Sequence, residues 1–171
     1  AETGMIRTLA LLLALAFSGP AGAEGTLEGR TVTFTVLTYD DPAQPMLEAQ
    51  GRTVTVGKGV EFGLDPEGGL IGGLQIVPVE IEITPTRLEA RYMVGPGTFY
   101  GAAFNGYVLI FETDCALFDK VRIDPAFTTM DLRPEDVRAE AGRLFLNVAG
   151  KDYGPGKRFA LDFSVADCPM S

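Results

Sequence analysis

The sequence has no histidine, only two cysteines and no run of basic residues. The missing histidine excludes Ser-His-Asp and Cys-His catalytic systems and any zinc site built on imidazole. Without clustered Lys and Arg to release counterions, nucleic acid and anionic lipid are poor partners. Long apolar runs are missing too. The longest, Leu9 to Phe17, falls short of the ~20 residues that a spanning helix needs, so the mature chain is expected to carry no membrane span.

That apolar segment instead completes a different pattern. Met5-Ile6-Arg7 is a short basic start, Ser18-Gly19-Pro20 breaks the apolar core, and Ala21-Gly22-Ala23 supplies the small residues that a signal peptidase accepts. Residues 1–4 precede a start-like methionine and read as a vector or upstream remnant. The expectation is a signal peptide through residue 23 and a single exported domain over 24–171, delivered to the periplasm or the extracellular space. A domain of that length can bury about 68–70% of its unfolded surface. The formal charge of −9, from 23 acidic and 14 basic residues, serves solubility. In an exported chain, Cys115 and Cys168 are expected to form a disulfide, which would stabilise by roughly 4 kcal/mol in the chain-entropy model.

Alternation dominates the rest. Val32, Phe34 and Val36 alternate with threonines; Val54 and Val56 follow the same rule. Gly57-Lys58-Gly59 reads as a turn or bulge, after which Val60, Phe62 and Leu64 resume, with Glu61 and Gly63 outward. Val79, Ile81 and Ile83, then Leu88, Ala90, Tyr92 and Val94, flank Thr84-Pro85-Thr86 as a hairpin. One-faced burial demands Ile83 opposite Leu88, which places Glu80 opposite Arg91 and Glu82 opposite Glu89. Gly106 to Phe111 is an uninterrupted apolar run with β-branched and aromatic residues, the pattern of a strand buried on both faces. Val121 and Ile123 make a short strand, and Met130 to Val137, with Pro134 early, is the one plausible helical turn. Leu144 to Val148 and Phe159 to Val165 close the domain. Short strands separated by Gly/Pro turns predict an all-β, two-layer antiparallel β-sandwich with at most one short helical turn.

Few residues invite chemistry. Gly68-Gly69-Leu70-Ile71-Gly72-Gly73 lacks the Lys-Ser/Thr of a phosphate loop and reads as a plain loop. Glu82 and Glu89 form a cross-strand carboxylate pair suited to acid/base work, but interleaved arginines favour a solvated face. Asp40, Asp41, Glu112, Asp114 and Asp119 are loop carboxylates of the kind that bind Ca²⁺, without a recognised ligand spacing. Phe99, Tyr100, Phe104 and Tyr107, set among glycines, form an aromatic group that Tyr153 joins if its loop lies at the same end. Exposed rings are platforms for sugars or apolar surface; the plainer alternative is that they cap the core.

From Phe104-Asn105-Gly106-Tyr107-Val108 onward, through Val121-Arg122-Ile123-Asp124-Pro125, Leu144-Phe145-Leu146-Asn147-Val148-Ala149-Gly150 and Leu161-Asp162-Phe163, the chain resembles a recurring type of exported bacterial β-sandwich protein without an established activity. The resemblance implies export and a sandwich fold, and no catalytic residues. The resulting expectation is a non-enzymatic binding or surface-structural module, with a protein or glycan surface as partner and no cofactor. The alternative is a Ca²⁺-dependent carbohydrate-active enzyme or a carbohydrate-binding module.

Overall fold

Apolar side chains at every second position make strands that must hide one face, and here two such sheets hide against each other. The computed structural model describes residues 25–63, 70–71, 74–111, 116–140 and 142–167. In chain order the strands are β1 (Thr31–Tyr39), β2 (Leu47–Glu48), β3 (Arg52–Thr55), β4 (Val60–Phe62), β5 (Leu70–Ile71), β6 (Leu74–Gln75), β7 (Val79–Thr84) and β8 (Arg87–Tyr92). They continue with β9 (Gly97–Thr98), β10 (Phe104–Ile110), β11 (Ala116–Ile123), β12 (Val137–Glu140), β13 (Arg143–Asn147), β14 (Asp152–Tyr153) and β15 (Arg158–Asp167). The one helical element described is a 3₁₀ turn, Pro134–Asp136, inside the segment expected to hold it. Among the described residues no helix is long and apolar enough to cross a membrane.

Sheet I runs β12-β13-β10-β1, with β2 and β3 both pairing the far edge of β1; sheet II runs β11-β15-β8-β7-β4. All pairings in the two sheets are antiparallel. One buried cluster takes Val32, Phe34, Leu109 and Leu146 from sheet I and Ile81, Leu88, Phe159 and Leu161 from sheet II. Phe34 meets Phe62 across the gap with ring centroids 4.9 Å apart, so the two layers face each other.

The hairpin β7–β8 has the expected register: Ile83 opposite Leu88, Glu80 opposite Arg91 and Glu82 opposite Glu89. The central strand β10 is buried on both faces, as its unbroken apolar run requires. Tyr107 and Leu109 join the inter-sheet core, while Phe104 and Val108 join Phe145 in a second cluster on the outward face. There Tyr39 stacks on Phe104 with centroids 5.3 Å apart, and the Arg138 guanidinium lies 4.1 Å from the Phe145 ring centre. Gly106 lets β13 come close: a Cβ there would overlap the Leu146 carbonyl oxygen.

Three expectations change. Glu61 is buried and Val60 is exposed, the reverse of simple alternation. A register shift between Val60 and Phe62 turns the strand over. The Glu61 carboxylate then accepts the Ile83 N–H at 2.6 Å and the Gly57 N–H at 3.0 Å. The Gly-rich stretch read as a plain loop holds β5, which pairs with β6. The third change falls on Ala139 to Gly142, a stretch whose sequence reads as a turn: Val137–Glu140 form β12, and the chain turns at Gly142. Val137 touches the core, but Arg138, Ala139 and Glu140 are exposed, so no alternation announced this strand. The export segment and both cysteines, with their expected bridge, lie outside the described residues, as does Leu64.

Candidate functional site

The aromatic residues meet at one end of the sandwich, where loops 93–103 and 148–157 are stitched together. Gly97 pairs with Tyr153 and Thr98 with Asp152. The Phe99 N–H donates to the Lys151 carbonyl at 2.9 Å, and the Thr98 hydroxyl donates to Asp152 at 2.7 Å. Lys151 in turn forms a 2.8 Å ion pair with Asp136 in the 3₁₀ turn, both side chains mostly buried. Gly97 is required here because the Tyr153 ring lies where its Cβ would be.

Phe99 packs on Tyr153 with centroids 4.8 Å apart and sits edge-on to Tyr107 at 6.4 Å. Tyr107 and Tyr153 line a pocket of about 210 Å³ with Phe99, Tyr100, Val36, Leu47, Ile76, Val77 and Val148. Besides the tyrosine hydroxyls its polar side chains are Thr98 and Asn105, and no charged residue lines it. The lining is thus neutral in a chain of charge −9.

Asn105 is held rather than free. It accepts from the Thr38 hydroxyl at 3.0 Å and donates to the Tyr100 carbonyl at 2.8 Å. Asn147 accepts the Asn105 N–H at 3.1 Å. Tyr100 is the exposed member, 66% accessible at the rim, whereas Tyr107 is 3% accessible at the floor. The Tyr92 hydroxyl donates to the Tyr107 hydroxyl at 3.0 Å across the inter-sheet gap. Burial pushes both phenols above the ordinary tyrosine pKa; for Tyr107 the hydrogen bond from Tyr92 opposes that rise in part. Both therefore stay protonated at neutral pH.

Of the five aromatic residues singled out from sequence, four line this pocket and one does not. Phe104 has the other parity on β10 and points to the outward cluster. Phe99, Tyr107 and Tyr153 also pack against the core, so the capping role and the pocket wall are the same rings. Sequence reading missed Val36, Leu47, Ile76, Val77 and Val148. Each looked like ordinary strand or loop filling, and only the fold brings them together.

The acidic residues do not assemble. Asp40 accepts the Ala103 N–H at 3.0 Å and Asp41 accepts the Ala43 N–H at 2.9 Å, each bracing a loop. Glu112, Asp114 and the side chain of Asp119 lie outside the described residues. Among the described residues no three metal-ligating side chains come together. Glu82 and Glu89 sit on the open face of sheet II, where Arg91 pairs with both and Arg87 bonds Glu89 at 2.8 Å. Arg87 also reaches Asp124 at 2.8 Å and Asp162 at 2.7 Å. The guanidiniums of Arg87, Arg91 and Arg158 lie 4.8–5.3 Å from the Phe127 ring centre. Hydrogen bonding to Arg87 holds the Asp124 carboxyl below its ordinary pKa. This is a neutralised lattice rather than an acid/base pair in a cleft.

Comparison with protein-family models, curated proteins and solved structures returned no match.

Proposed function

We propose that this chain is an exported, non-enzymatic binding module, and that the aromatic-walled pocket receives one ring or one apolar side chain from a protein or glycan surface. The observation that carries this reading is the pocket itself: uncharged, walled by aliphatic and aromatic side chains, with Tyr100 standing exposed at its rim. Its volume of about 210 Å³ lies below the roughly 300–1,000 Å³ typical of drug-sized ligands. It therefore suits a single inserted moiety of a larger partner, with Tyr100 offering a flat face beside it. Rigid hydrogen-bonded loops around the rim limit the ordering cost of such an insertion.

A screen of immobilised glycans and peptides tests the reading. The expected result is capture of members presenting a neutral ring or apolar side chain, lost in Tyr100→Ala while the melting temperature is unchanged. A folded sample that captures nothing, or capture that Tyr100→Ala leaves intact, overturns it.

A further inference from the structure

Tyr107 lines the pocket and Tyr92 lies buried behind it; the two hydroxyls carry two protons, and their mutual bond uses one. Tyr92 donates to Tyr107, so the Tyr107 proton has no acceptor among the described residues. A buried donor left unmade costs about 1–3 kcal/mol, so the position favours an occupant that accepts. The pocket's other polar side chains are engaged or wet. Thr98 donates to Asp152, Asn105 is bonded at its side-chain oxygen and nitrogen, and Tyr100 and Tyr153 are exposed or half-exposed. Tyr107, buried and lining the pocket, is the donor that solvent does not readily serve.

Building on the pocket reading above, we infer that the inserted moiety carries a neutral hydrogen-bond acceptor oxygen, a carbonyl or hydroxyl, which takes the Tyr107 hydroxyl proton. The site would then discriminate by hydrogen bonding as well as by shape. A buried donor rejects an analogue lacking the oxygen more sharply than apolar walls reject a change of size. Burial holds the phenol in its protonated form, so the donor is present throughout the neutral range.

Acetophenone and ethylbenzene, nearly isosteric and differing in one carbonyl oxygen, are the probes, titrated into the ¹⁵N-labelled full chain and followed by NMR. Acetophenone is expected to bind roughly fivefold tighter, the ratio that one ordinary net hydrogen bond supplies, with shifts at the amides of Phe99, Tyr107 and Tyr153. Tyr107→Phe should erase the preference and Tyr92→Phe should keep it. Equal binding of both probes at these amides overturns the inference and leaves the pocket reading standing; a preference that survives Tyr107→Phe also overturns it. If neither probe shifts these amides, the pocket reading fails and takes the inference with it. Should Tyr107→Phe not fold, ¹³C-labelled tyrosine decides on the unmutated chain. Acetophenone must then move the Tyr107 ring resonance more than ethylbenzene does, and equal movement overturns the inference.

Discussion

The outward face of sheet I carries Phe104, Val108 and Phe145, while the outward face of sheet II carries Arg87, Glu89, Arg91 and Asp162. Both sheets obey the same two-residue period, so the difference lies in what fills the second parity. In β7 and β8 that parity is charged, and one face is left to water. In β10 it is apolar, so the strand is sunk on both sides, roofed by long side chains such as Tyr39 and Arg138. Sheet I is thus the thicker half of the molecule. The pocket opens where its central strand, through Tyr107, meets the end loops.

The largest test of that contrast is Phe104→Ala, expected to cost about 3–5 kcal/mol in denaturant unfolding. Its counterpart Glu80→Ala on sheet II should stay within about 0.5 kcal/mol. Equal costs would break the comparison. Next, Gly106→Ala forces a Cβ into the Leu146 carbonyl and should lower stability by about 1–3 kcal/mol through overpacking; a neutral result would mean that β10 and β13 part easily. On sheet II, Arg87→Met strips one guanidinium from Glu89, Asp124 and Asp162. A cost of about 1–2 kcal/mol is expected, since the group is partly screened.

The smallest effect sharpens the picture of sheet II by pH. Asp124 has a lowered pKa in the folded protein, so its contribution is complete above the unfolded value of about 3.9. It is lost as pH falls through the lower folded value. The stability gap between the natural chain and Asp124→Asn should therefore be present at neutral pH and close on strong acidification. A gap independent of pH would assign Asp124 no electrostatic part in the lattice.

Much of this contrast is legible in the residues. Val79 to Tyr92 specifies its own register, because a one-residue slip would bury every glutamate and arginine. Gly106 to Phe111 declares double-sided burial by having nowhere polar to turn. The failures share a cause: at Glu61 a bulge inverts the strand locally, and at Val137–Glu140 pairing with β13 overrides a polar sequence. Neither is visible without knowing which neighbour supplies the hydrogen bonds. The aromatic cluster was half legible. Glycine spacing marked the loop, but whether Phe104 and Tyr107 shared a wall depended on strand parity, and Val36, Leu47 and Ile76 reach the pocket only through tertiary assembly.

Glu61 bears on how the protein behaves in company. A sheet margin normally offers free amides to any passing strand, which is how native chains begin to polymerise. Here the Ile83 amide is already occupied by an acid from the adjoining strand. A second copy that tried to zip on there would have to evict a carboxylate from its pair of amides. The short, bulged fourth strand therefore closes the Ile83 end of that margin with a side chain rather than with another strand.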